Sequence, residues 1–324
     1  MPNAVDIVKA LVSPCEKLIS ATQAAIGKAY EPRYIRRMAD AKAYEIRTIR
    51  QAMAESSDVP IVYDKGNIYM DTTDFEELAQ RTQSRLGYQE LRKQVNIEAV
   101  VDIAYNALEN EPPVIDEPID QDWLIRFFNS VEDISNEQMQ YLWGKILAGE
   151  IKKPNSFSMR TLNILKNLTQ KEAELFKRIA PFILTCPGNE EKSLTDYFLP
   201  FRALLETINM DKYDICFPDY LALSETGIMN SAPTLAIALH LMPDETDWMV
   251  GSSGRIKCHN NSEEPVALSH SAFLLTEAGK ELYPIIISNS MDIVPYEYLL
   301  DFQNSIIAAN EANTKDKVVV SIEE

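Results

Sequence analysis

Between Asp120 and Ile183 the apolar residues return every three or four positions, and the returns are bracketed by residues that start or stop helices. Leu124, Phe127, Phe128 and Val131 share one helical face; Met139, Leu142, Trp143, Ile146 and Leu147 share a second at i, i+3, i+4, i+7, i+8. Ser135 with Gln138, and Thr169 with Glu172, have the spacing of capping boxes, in which two side chains satisfy each other's free backbone amides. Gly149 and Pro154 stop the second helix. Leu162, Leu165 and Leu168 mark a third, and Ala173, Phe176, Ile179, Ala180 and Ile183 a fourth. Four such stripes joined by short connections must hide against one another, so the expectation is a four-helix unit over 120–184.

The remaining segments read less sharply. Val5 to Lys28 carries an apolar stripe broken at Ser13-Pro14, suited to packing on a neighbouring helix or to lying on a membrane surface. From Tyr34 to Met53 the residues Ile35, Ala39, Ala43, Ile46 and Ile49 keep a helical period, and their small side chains permit close approach of a second copy. These five are the candidate self-association residues. PIVYDKGNIYM, near 60–70, reads as a short hairpin. A helix opening at the Asp74/Glu77 box is expected to reach Leu108 with one interruption near Gly87. EPPVIDEPID, with three Pro and four acidic residues, marks a linker over 111–119 after an N-terminal helical region at 1–110. Past Cys186-Pro187-Gly188 the texture is mixed: Ser193–Ile208 and Asp219–Thr226 read as helices, Leu235–Met242, Trp248–Lys257 and Val266–Leu275 as strands, and 295–312 as a helix. The tail, 313–324, holds one edge strand at Val318–Val320.

Charge narrows the partners. The chain carries 31 Lys and Arg against 49 Asp and Glu, a net −18, which opposes a polyanionic backbone. One stretch departs from this: Lys145, Lys152, Lys153, Arg160, Lys166 and Lys171, with Lys177 and Arg178, make 145–178 basic, and the first six are the candidate contacts for a protein partner or a nucleic acid. Four scattered cysteines without a C-x-x-C pair suit reduced thiols and a cytoplasmic setting. Apolar runs are too short to span a bilayer, so no transmembrane segment is expected.

No reactive constellation assembles from these residues. Glu150-Ile151-Lys152 has the E-x-K spacing of a metal-dependent nuclease but ends an amphipathic helix, where that chemistry needs a strand. Cys258-His259 with His240 or His270 lacks zinc spacing, and Ser269-His270-Ser271 lacks a third partner. Gly251 and Gly254 follow no nucleotide fingerprint. The expectation is therefore a protein without catalytic residues, metal or cofactor.

Three motifs carry a family resemblance. The helix ending W-x-x-I-L-A-G-E-I at 143–151, the P-x-S-x-S at 154–158, and the L-x-x-L-T-x-x-E-A-x-x-F at 165–176 resemble the bacterial family called domain of unknown function 2806. LTEAGKEL at 275–282 is similar to it as well. The resemblance implies an accessory or sensor protein of bacterial defence islands. LALSETGIM at 221–229 and FLLTEAGKELYPI at 273–285 look like parts of a degenerate winged helix spanning 189–312. The fold class expected is thus mainly α with a small α+β part: long N-terminal helices, a central bundle and a winged-helix-like C-terminal region. The function expected is a non-enzymatic, self-associating sensor or recruitment protein in phage defence, with a homo-oligomer and a protein partner. The alternatives are nucleic-acid binding through 145–178 and, behind it, a nuclease at Glu150.

Overall fold

Several helices in this chain begin where a side chain takes up a first unpaired amide, as at Asp120, Asn136, Ser158 and Thr169. The computed structural model describes residues 11–27, 61–64, 67–70, 73–186, 196–201, 208–231, 234–252, 254–288, 294–315 and 317–323. Two compact units emerge, Met1–Ser156 and Phe157–Glu324. The helices expected as one unit over 120–184 divide between them. Residues 35–49, the candidate self-association stripe, lie outside the described residues.

The first unit holds α1 (Pro14–Ile26), α2 (Thr73–Leu108), α3 (Gln121–Val131) and α4 (Glu137–Lys152). Asp120 caps α3 by accepting from the Trp123 amide at 3.0 Å. Asn136, and not Ser135, caps α4 by accepting from Met139 N at 3.1 Å, because an Asn carbonyl one residue later serves the same amides equally well. Helix α2 runs unbroken through Gly87 for 36 residues; one glycine costs about 1 kcal/mol, too little to stop a helix continued on both sides. Phe127 centres the core, with Trp123 stacked at 5.1 Å and Trp143 edge-on at 5.3 Å. Val100, Val101, Ala104 and Leu108 enter that core from α2. Gly144 lets α4 approach α2, since a Cβ there would come within 2.5 Å of Ile103 Cγ2. β1 (Leu11–Val12) pairs with β4 (Val114–Ile115), so the segment 111–119 carries a strand held inside this unit where a linker was expected. β2 (Ile61–Asp64) and β3 (Asn67–Met70) pair antiparallel in register.

The second unit is built on a seven-stranded antiparallel sheet in the order β11-β9-β8-β5-β6-β10-β7. Its strands are β5 (Leu184–Cys186), β6 (Asp196–Pro200), β7 (Thr234–Leu241), β8 (Thr246–Gly251), β9 (Gly254–Asn260), β10 (Val266–Leu274) and β11 (Val318–Glu323). The helix expected at 193–208 is wrong for residues 196–200: Tyr197, Phe198 and Leu199 lie between β5 and β10, and an apolar run paired on both edges is a buried strand. The strand expected over 248–257 is two strands meeting at Gly251–Gly254. Around the sheet stand α5 (Met159–Asn167), α6 (Gln170–Ile179), α7 (Phe217–Glu225), α8 (Glu277–Ser288), α9 (Tyr296–Ala309) and α10 (Glu311–Thr314). Leu299, Phe302 and Ile306 bury one face of α9, which packs against β9, β10 and β11. His270, on β10, is buried there: its Nδ1–H donates to the Ser271 carbonyl, which leaves Nε2 to accept from Ser305 Oγ at 2.8 Å.

Two outcomes follow. Gly279 lies against the Ile228 carbonyl so closely that an added Cβ would meet it at 2.1 Å, so Gly279→Ala forces backbone apart where Thr276 caps α8. Urea unfolding is expected to show a loss of roughly 1–3 kcal/mol, against a gain if helix propensity alone decided. Burial raises the phenols of Tyr220 and Tyr298 well above their ordinary value and that of Tyr283 to about 12. Each phenol ionises first in the unfolded chain, so the stability these tyrosines contribute is constant below pH 10 and falls above it, by up to about 1.4 kcal/mol per pH unit for each. Unfolding midpoints measured from pH 9 to 11.5 check this; a flat profile contradicts it.

Candidate functional site

The residues of the three sequence motifs are occupied by backbone. Glu150 is 1% exposed, and its two oxygens accept from Asn155 N at 2.6 Å and Ser156 N at 3.0 Å, closing the turn after α4. Ser158 caps α5, accepting from Thr161 N. The Glu281 carboxylate from α8 receives Ser158 N at 2.7 Å and the Thr161 hydroxyl, tying α8 to the start of α5. Thr169 and Glu172 form the expected box at α6, with Thr169 N donating to Glu172 at 2.7 Å. Asp219 plays the same part at α7, accepting from Cys216 N and its thiol, while Arg178 reaches it at 3.1 Å. Burial alone would raise the Asp219 pKa, but these donors outweigh it and hold the carboxyl below its usual value.

The basic candidates fall on both units. Lys145 lies over the Tyr141 ring and Lys152 pairs with Glu111 at 2.8 Å, while Lys153 follows the end of α4 exposed. In the second unit Arg160 and Lys166 sit six residues apart on α5, about 120° around its axis, and Lys171 opens α6. Arg178 is held by Asp219 and the Asp214 carbonyl. Lys17, in α1, is buried and donates to the Ile115 carbonyl; burial lowers its pKa against the pull of Asp116, Glu117 and Glu150.

Thiol and imidazole candidates stay apart. Cys258 is fully buried, its thiol pushed up to about 12 by burial, whereas His259 next along β9 is partly exposed and bonds Thr246 Oγ1 at 2.8 Å. Adjacent strand residues point to opposite faces and cannot share an ion. No group of three or more His, Cys, Asp or Glu able to hold a metal occurs among the described residues.

One concave surface is open. A groove of about 350 Å³ lies between α5, the first turn of α6 and the end of α7. Arg160, Asn163, Ile164 and Asn167 recur at i, i+3, i+4 and i+7 on the α5 side, with Leu168, Glu172, Glu225 and Thr226 completing the walls. Among the described residues Arg160 and Glu225 make no ion pair. Gly227, at φ 81°, ends α7 where a Cβ would come within 3.2 Å of Ile164 Cδ1, which sets the narrowness of the groove. Sequence reasoning found Arg160 and missed Asn163, Asn167 and Glu225; the two asparagines four apart on a polar helix face were the available signal.

A second surface is convex. Residues 77–95 of α2 bury little, and Tyr88, Leu91 and Val95, at i, i+3 and i+7, are 67%, 51% and 55% exposed. Leu78 and Leu86 are exposed on the same half. This spacing was present in the sequence and was read there only as helix.

A family model described as a protein of unknown function (DUF2806) matches residues 80–299. No curated protein and no solved structure matches the chain. No helix is long and apolar enough to cross a membrane, among the described residues. If Glu150 serves the turn, Glu150→Ala removes the acceptor of the Asn155 and Ser156 amides and lowers unfolding stability by roughly 1 kcal/mol or more. Glu150→Gln, which keeps one acceptor, is expected to retain part of it in the same urea titration. Unchanged stability in both variants would contradict the assignment.

Proposed function

Because the chain belongs to the DUF2806 family, one of unknown function, its role has to be argued from its own surfaces, and we propose a non-enzymatic, self-associating recruitment protein. The observation that carries this is the outer half of α2. Contiguous apolar side chains exposed at helical spacing mark an interaction surface, because water makes such a face costly to leave bare. A second copy is the partner proposed, with Tyr88, Leu91 and Val95 in the seam; the Ile35–Ile49 stripe expected from the sequence to self-associate lies outside the described residues. Four acidic side chains that would serve chemistry elsewhere, Glu150, Glu172, Asp219 and Glu281, are instead bonded to backbone.

The same proposal includes a bacterial antiviral setting, a cytoplasmic location and the winged-helix-like character of 189–312. Support for the last is the order α7, strands β7 to β10, α8, in which Met229 bridges Leu275. This region is acidic, which favours protein contact over DNA. The nucleic-acid reading of 145–178 loses Lys152 and Arg178 to ion pairs with Glu111 and Asp219.

Sedimentation velocity over a hundredfold concentration range tests the reading. The parent chain is expected to associate, and Tyr88→Glu with Leu91→Glu to weaken association at least tenfold while leaving the thermal midpoint unchanged. A parent chain that stays monomeric throughout contradicts it.

A further inference from the structure

The groove between α5, α6 and α7 has charge at both ends and an apolar floor. Arg160 sits in the first turn of α5, and Glu172 sits past its far end, in the first turn of α6. Glu225 closes the wall from α7, while Ile164 and Leu168 form the floor. Glu172 is fixed in place by Thr169, whose amide and hydroxyl both donate to Oε2 at 2.7 Å. Arg160 and Glu225 are uncommitted to any described residue, so an occupant would meet them already free. Asn163 offers a carboxamide between the two ends, able to donate to and accept from a peptide backbone.

This arrangement asks for an occupant with an anionic group at one end, a cationic group at the other and an apolar group between. Arg160, Asn163 and Glu225 are all exposed, so a free small molecule would keep much of its surface in water, where compact ligands bind weakly. A segment of a larger partner does not share that limit. The seven steps from Arg160 to Asn167 span about 10 Å of helix, and three residues of extended polyproline II chain, in which side chains i and i+3 share a face, cover about the same length. We propose that the groove receives an extended peptide segment of a partner protein, its acidic residue on Arg160 and a basic residue three positions away on Glu225 and Glu172. The inference rests on the recruitment reading and names the chemistry of what is recruited. Arg160 can grip a carboxylate in a two-bond fork, which gives the segment its register.

Fluorescence anisotropy with the full chain tests it, using labelled, end-blocked octapeptides whose cores are Glu-Leu-Ala-Lys, Glu-Leu-Ala-Glu and Lys-Leu-Ala-Lys. The mixed-charge peptide is expected to bind at least tenfold more tightly than either like-charged one at low salt. Arg160→Glu and Glu225→Lys should each cost at least tenfold. Arg160→Glu should also gain affinity for the doubly basic peptide, a gain that a merely structural role would not produce. No binding of the mixed peptide, equal binding of all three, or displacement of the peptide by a DNA duplex in an Arg160-dependent manner overturns the proposal. Sedimentation of the same variants separates the two readings. Intact self-association with no peptide binding removes the groove and leaves recruitment through α2, whereas lost self-association in the parent chain removes the broader reading.

Discussion

Unpaired backbone amides at helix starts and tight turns set the terms for this chain, because burying one without an acceptor costs about 1–3 kcal/mol. The acidic composition is spent in part on that problem. Glu150 closes the turn after α4, Glu172 caps α6, Asp219 caps α7 and Glu281 crosses from α8 to the start of α5. Once these carboxylates are committed, helix lengths and starts are fixed, and the apolar stripes they carry have only one face to offer their neighbours.

That commitment turns three of the motif carboxylates, Glu150, Glu172 and Glu281, toward backbone. A nucleophile or metal ligand needs a lone pair directed into open space, whereas Glu150, Glu172 and Glu281 of these motifs accept from backbone N–H groups. Thr276 and Gly279 in the segment L-T-E-A-G-K-E-L do equivalent work, one capping α8 and the other allowing it to touch the Ile228 carbonyl. The surfaces proposed for function are ones the core does not use: the outer half of α2 and the groove beside α5.

Local features were legible in the sequence and distant ones were not. The Thr169/Glu172 box closes within four residues, so its spacing identified it, and the same holds for the apolar period of the helix at 121–131. The cap at α4 lies one residue from where it was expected, since Ser135 and Asn136 are chemically interchangeable there. Residues 196–200 were read as helix because their apolar run is ambiguous until β5 and β10 pair with it. The Glu281–Ser158 bond joins residues 123 apart and leaves no trace in local spacing. The groove was half legible: Arg160 stood out by charge, while Glu225 became its neighbour only through the fold. The family resemblance was read from motif residues whose roles turn out to be structural.

We propose that exposed helical surface is what this protein presents to its surroundings. Amide hydrogen exchange at two protein concentrations a hundredfold apart tests it most directly. The account predicts that amides of residues 77–95 in α2 exchange more slowly at the higher concentration, while those of 97–108, already in the core, keep their rates. Identical exchange along 77–95 at both concentrations would contradict it.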